Sequence, residues 1–240
     1  MKLRFSDIKA EDQAELRAKL TAAQIHVAKR PARRTHASRE QYSALRMLAT
    51  LSGSKALSFP LQVEFRDGPD VALHMPTESI GVECIDAIAE EWAEILDLRA
   101  REYSGAVIFL PRLKPGVRSL SAQDIREYAS GAKAGPPWVG NSVETDWAQA
   151  ISYFAQKKLD KLRAGAYPDY LNNWLLIHDE WVMRPVAADE QLLAASLLAS
   201  TSAPLFSEPC FSKILIEGSK WLTCLTKDSK EVTAVVDLWS

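Results

Sequence analysis

The chain has 240 residues, 47% of them hydrophobic and 25% charged, with a formal net charge of -2 at neutral pH. That length supports one or two domains with a sizeable buried core, and no apolar stretch approaches the ~20 residues of a membrane helix. The start, Met1 to Asp7, lacks the apolar centre of a secretory signal, and Cys84, Cys210 and Cys224 are odd in number and without metal-ligand spacing; a reducing cytoplasm is the simplest location.

The charge is unevenly spread. Residues 1–55 carry 12 Lys and Arg against 5 Asp and Glu, and no acidic residue stands between Glu15 and Glu40, where Lys19, Lys29, Arg30, Arg33, Arg34 and Arg39 lie. Such a segment suits either a polyanion backbone or an ordinary solvated helix face and loop. Apolar spacing predicts a first helix over about residues 9–28, with Leu16, Leu20, Ala23 and Val27 on one face. Pro31 and its neighbouring arginines form a connector. A second helix is predicted from Ser38, with Ser38 and Gln41 as a capping box and Gly53 at its end.

A strand over Leu61–Phe65 is followed by the turn Arg66-Asp67-Gly68-Pro69. Two apolar runs come next, Val71 to Met75 and Ile80 to Ile85, separated by the turn Pro76-Thr77-Glu78-Ser79. Ile88, Trp92, Ile95 and Leu96 have helical spacing and predict a helix over 87–102. Ala106–Leu110 has the near-continuous apolar character of a strand covered on both faces. Further helices are predicted over 121–130, 144–163 and 189–200, with a loop over 131–140 and a buried strand over Trp174–Ile177. Three strands end the chain, Lys213–Glu217, Lys220–Thr226 and Val232–Leu238, with Gly218-Ser219 as a hairpin turn. The pattern indicates a mixed α/β protein.

Three residues sit where their chemistry is costly. Asp70 opens one apolar run and Glu83 is embedded in the next, although an unpaired buried charge costs several kcal/mol. A hairpin centred between Thr77 and Glu78 places Ala72 opposite Glu83 and Asp70 one diagonal step away on the same face, close enough to share one hard divalent ion. The third residue is Lys158. At 100° per residue, Trp147, Ile151, Ala155 and Leu162 define the apolar face of the 144–163 helix, and Lys158 falls inside that face. It must either extend its ammonium to water or meet a carboxylate.

Pro69-Asp70, a gap of twelve residues and Glu83 within an apolar strand resemble the PD-(D/E)XK nuclease superfamily, the restriction-endonuclease-like fold. The resemblance spans roughly residues 38–180 and includes the element order: helix, three strands, helix, strand, then helix and strand. It implies that Asp70, Glu83 and the carbonyl of Cys84 bind magnesium or manganese, and that a lysine positions the attacking water. Ile85 occupies the position two residues after the glutamate where that lysine usually stands. Some members carry it on a later core helix, which makes Lys158 the candidate and Lys161 the reserve. Glu40 is the candidate for the family's glutamate on the preceding helix; the helix dipole alone also explains a glutamate near that helix start.

Other candidates are weaker. His26, His36, His74 and His178 are dispersed. His178 and Asp179 follow a strand, where polar residues usually just leave the sheet. His74 shares parity with Asp70. Trp92 and Trp147 belong to core stripes, whereas Trp138 in a Gly-Pro loop suits base stacking. A strand-buried Cys84 thiol without a histidine partner is inert.

The expected protein is therefore mixed α/β with a restriction-endonuclease-like core, a central mixed sheet flanked by helices. A basic N-terminal helical extension covers 1–37 and a single nuclease-like domain covers 38–240, with a C-terminal β-hairpin/strand addition. Its expected activity is metal-dependent phosphodiester hydrolysis in nucleic acid, DNA rather than RNA, with magnesium (or manganese) as cofactor, no membrane partner and homodimerisation open. The alternative is a catalytically inactive nuclease-fold protein serving as a nucleic-acid or protein-binding module. A third reading makes the carboxylates structural, with Lys158 as their buried counter-ion.

Overall fold

In the computed structural model, residues 7–23, 36–66, 68–165 and 170–239 are described. In chain order they form β1 (Ile8–Ala10), α1 (Gln13–Ala22), α2 (His36–Leu51), β2 (Leu61–Phe65), β3 (Val71–His74), β4 (Ser79–Ala87), α3 (Glu90–Glu102), α4 (Ala122–Ser130), α5 (Ser142–Arg163), β5 (Asn172–Asp179), α6 (Ala188–Thr201), β6 (Lys213–Glu217), β7 (Trp221–Leu225) and β8 (Lys230–Ala234). The strands make one sheet in which spatial order equals chain order. β4 pairs parallel with β5 and β5 parallel with β6, while every other pair is antiparallel.

Parallel neighbours require crossovers, and α3, α4 and α5 supply the first while α6 supplies the second. The run Trp174-Leu175-Leu176-Ile177 is buried throughout because β5 is covered on both faces. Leu175, Ile177, Ile214 and Ile216 face the helices α3 to α6, where Trp92, Ile95, Trp147, Ile151 and Leu198 are buried. Val82, Cys84, Leu176 and Leu215 face α1 and α2 through Leu16, Leu20, Leu45 and Leu48. Each such apolar side chain removed from water contributes about 1.5–3 kcal/mol. No described helix is long and apolar enough to cross a membrane.

The structure corrects several expectations. The predicted first helix opens with a strand: Ile8–Ala10 pairs with Leu61–Val63 at the sheet edge. α1 starts only at Gln13, where Asp12 caps it by accepting from the Glu15 amide at 2.8 Å. Helix α2 begins at His36, so the position of Ser38 lies inside it instead of at its start. The predicted strand at Ala106–Leu110 is irregular, with Val107 71% and Phe109 47% exposed. The sheet edge it needed is taken, since β4 pairs with β5. Ile108 and Leu110 instead pack against the helices, and the segment's backbone runs close to two glycines: a Cβ on Gly131 would clash with the Val107 carbonyl oxygen, and one on Gly135 with that of Leu110.

At the C-terminus the hairpin turn is shifted by one residue. The Gly218 amide donates to Trp221 O at 2.9 Å, which makes Ser219-Lys220 the turn pair. β8 ends at Ala234, earlier than Val232–Leu238 implied, because the tail turns to other partners. Asp237 accepts from the Tyr42 hydroxyl at 2.9 Å, and the Trp239 indole donates to Ala23 O at 2.9 Å. The connector around Pro31 with Lys29, Arg30, Arg33 and Arg34 lies outside the described residues, as do Val27 and His26.

One level beyond the apolar row Cys84–Leu176–Leu215, the same sheet face carries a polar row, Asp86–His178–Glu217, in register across three strands. Helix α2 answers it with two arginines. Arg39 Nη2 stands 3.2 Å from Asp86 Oδ2, and Arg46 Nη1 is bonded to the fully buried Glu217. His178 lies between carboxylates, Nδ1 2.6 Å from Glu217 and Nε2 3.3 Å from Glu180.

Removing one partner of a buried pair leaves the other charge uncompensated, so Arg46→Met is expected to cost about 3–5 kcal/mol in urea denaturation. The double variant Arg46→Met/Glu217→Met should recover most of that loss. Unchanged stability of the single variant would contradict the pairing.

Candidate functional site

Strand β3 pairs with β4 in the register Val71↔Val82, Ala72↔Gly81 and Leu73↔Ile80. The Met75 amide donates to Glu78 O at 2.9 Å, which makes Pro76-Thr77 the turn pair. The hairpin is therefore shifted by two residues from the expected register. A two-residue shift preserves side-chain parity, and it brings Asp70 level with Glu83 instead of diagonal to it. Pro69 has no N–H and ends the ladder there. The Cys84 amide of β4 donates to Asp70 Oδ2 at 2.7 Å, which holds that carboxylate against the strand.

Glu83 shares its sheet face with Leu175 and Ile177, the face on which α5 packs. From that helix Lys158 extends its ammonium to 2.9 Å from Glu83 Oε2 and 4.0 Å from Asp70 Oδ2. Its side chain is 14% exposed, so the lysine predicted within the apolar face of α5 does turn inward, to carboxylates. Ile85, next along the same face, is packed against the α3–α6 core and contributes no polar atom.

Glu40 approaches from α2. Its carboxyl is pushed up to about 7, first by burial and then by the negative charge of Asp70, with Asp86 and Glu83 adding and Lys158 opposing. Four carboxylates thus share a region with Lys158 and Arg39, and the region has an excess of negative charge. Burial, with Asp70 and Glu40 adding, raises the Cys84 thiol well above its usual range, so the thiol is protonated and inert at neutral pH. Among the described residues no three His, Cys, Asp or Glu side chains converge as a ready metal cluster. The donor set is two carboxylates with the Cys84 carbonyl available beside them.

Several candidates lie apart from this site. Lys161 forms no ion pair with Asp70 or Glu83, whose ammonium partner is Lys158. His74 lies four residues along β3 from Asp70 and turns to Ser79 Oγ at 2.9 Å and Glu64 at 3.6 Å. Trp138 is half-buried with its indole nitrogen enclosed, so it is not the exposed stacking residue its loop suggested. Trp92 and Trp147 are core residues as expected.

Two features escape a reading of the sequence. Asp86 is a second carboxylate in β4, on the face opposite Glu83, just past the apolar run that closes at Ile85. Gly81 is a close-approach position two residues before Glu83: a Cβ there would meet Asn173 Oδ1, Pro69 Cγ and Tyr170 Cδ2, each at 3.1 Å. Tyr170 is held in turn by Arg66, whose Nη1 donates to its hydroxyl at 2.8 Å.

Comparisons of the chain with protein-family models, with curated proteins and with solved structures give no match.

Raising Glu40 from 4.5 to about 7 favours its protonated form in the folded state. Its stabilising contribution is complete below pH 4.5 and is lost as pH rises through about 7. Glu40→Gln should therefore flatten the pH dependence of Tm across that window and exceed the wild type above it. Parallel Tm–pH curves for the two proteins would refute the shift.

Proposed function

We propose that the chain is a divalent-metal-dependent nuclease of the PD-(D/E)XK type, hydrolysing phosphodiester bonds in nucleic acid, with DNA the favoured substrate. The observation that carries this reading is the meeting of Lys158 with Glu83, 75 residues earlier in the chain, and with Asp70. A lysine on a core helix, brought to the two acids from across the sheet face, answers the loss of the usual strand lysine at Ile85. Within this reading, α2, the strands β2 to β5 and α5 form a restriction-endonuclease-like core.

The residues fit a hard divalent ion by their chemistry. Asp70 and Glu83 supply carboxylate oxygens from positions level with each other across the hairpin, the Cys84 carbonyl adds a neutral oxygen, and the surrounding charge is negative. When bound, such an ion supplies the positive charge that polarises a phosphoryl oxygen and lowers the pKa of a water. The Cys84 amide keeps the Asp70 carboxylate aimed. The Lys158 ammonium orients a water or offsets charge that develops on phosphorus. Glu40, with its pKa near 7, is tuned to take up or release a proton at neutral pH.

The second reading, a non-catalytic binding module of the same fold, draws support from the Lys158–Glu83 contact at 2.9 Å, which already neutralises one ligand. Magnesium- or manganese-dependent cleavage of plasmid DNA and of single-stranded RNA separates the two. Asp70→Asn and Glu83→Gln should each reduce cleavage by on the order of a hundredfold or more, and Lys158→Met should reduce cleavage while manganese binding measured by calorimetry persists. Full activity in both acid variants would refute the nuclease site. A wild type that neither cleaves nor binds manganese would support the binding module.

A further inference from the structure

Ligands of open α/β sheets gather beyond the carboxyl ends of parallel strands. Beyond the ends of β5 and β6 lies a cavity of about 200 Å³, between residues 182–186 and the β6–β7 turn. Asp179, on its wall, is four positions past Leu175, which is level with Glu83; the cavity thus stands roughly 13 Å along the sheet from the carboxylate pair.

Two cations, Arg184 and Lys220, and one carboxylate line this cavity. Among the described residues neither cation has a carboxylate within 4.0 Å. The Arg184 guanidinium is anchored by one bond, Nη1 to Asp179 O at 2.6 Å, and a guanidinium has five N–H groups. Asp179 is the one carboxylate among the lining residues, and both its oxygens are engaged. Oδ2 accepts from the Trp147 indole at 2.8 Å and Oδ1 from the Trp181 amide at 3.0 Å. Burial pushes its pKa up, and the nearby Arg184 and these two N–H donors oppose that rise. Val182, Val186 and Trp221, whose indole is tied to Val186 O at 2.9 Å, give the rest of the lining an apolar part, beside the polar Gln191 and Ser219.

We propose that this cavity is a binding site for a small organic oxyanion, a carboxylate or phosphate ester on a ring or short apolar body. Arg184 and Lys220 take the oxyanion, and Trp221 with the valines takes the body. A volume of about 200 Å³ lies below the ~300–1,000 Å³ of drug-sized pockets, so the body is small. The site is separate from Asp70 and Glu83 and stands whether or not the chain cleaves nucleic acid.

The test is titration of ¹⁵N-labelled protein with benzoate, phenyl phosphate and inorganic phosphate, read at the Trp221 indole and the Gly218 and Ser219 amides. Saturable shifts are expected with at least one organic anion, whichever binds tighter naming the head group, and weaker binding of inorganic phosphate. Lys220→Met, an exposed change, and Arg184→Met should each weaken binding at least about tenfold, with Lys220→Arg retaining it and the rest of the spectrum unchanged. Absence of saturable shifts with both organic anions, inorganic phosphate binding as tightly as they do, or wild-type affinity in both methionine variants would overturn the proposal.

Discussion

Carboxylates placed in the covered strands of a sheet must be met by cations, and in this protein the cations come from helices on opposite faces. Glu83 on β4 is met by Lys158 from α5, and Glu217 on β6 by Arg46 from α2. An unpaired charge at either place would cost several kcal/mol, so each pair restricts how its helix slides or rotates over the sheet. Apolar packing of Leu45 and Leu48, or of Trp147 and Ile151, supplies the bulk of the favourable burial. It tolerates small shifts in a way that a buried ion pair does not. The two helices that carry the candidate catalytic residues are thus the two held in place by buried charge.

The consequence for chemistry is a region of uneven electrostatics at one end of the sheet. On one face, Asp70 and Glu83 converge on the Lys158 ammonium. From the other, Glu40 feels these acids and Asp86 strongly enough to hold its proton to about pH 7. Perturbed carboxyls of this kind cluster at functional sites, although structural ion-pair networks also produce them. Further along the same sheet end the balance reverses, with Arg184 and Lys220 around a cavity whose single lining carboxylate is already bonded. A polar row of Asp86, His178 and Glu217 joins the two regions across the strands.

Much of the candidate site is legible in the sequence itself. Parity along two apolar runs puts Asp70 and Glu83 on one face, and the 3.6-residue period puts Lys158 toward the core; both depend only on local spacing. The register does not follow, because nothing local distinguishes a turn at Pro76-Thr77 from one at Thr77-Glu78. Strand pairing defeats local reading elsewhere. Ile8–Ala10 is too short for alternation to mark it, and Ala106–Leu110 has strand composition but no free sheet edge beside it. Asp237 and Trp239 leave β8 for partners nearly two hundred residues away or more. The Asp86–His178–Glu217 row is illegible for the same reason: each residue looks like the polar end of a strand until three strands and α2 are assembled.

Under the proposed function, Asp70 and Glu83 form a cation site whose resident ammonium yields to a metal. A crystal of the full chain soaked in manganese and measured at the manganese edge tests this directly. An anomalous peak is expected roughly 2 Å from oxygens of both carboxylates, with the Lys158 ammonium moved off Glu83. No peak there, with Lys158 still bonded to Glu83, would make the three residues a structural ion pair and contradict the metal site.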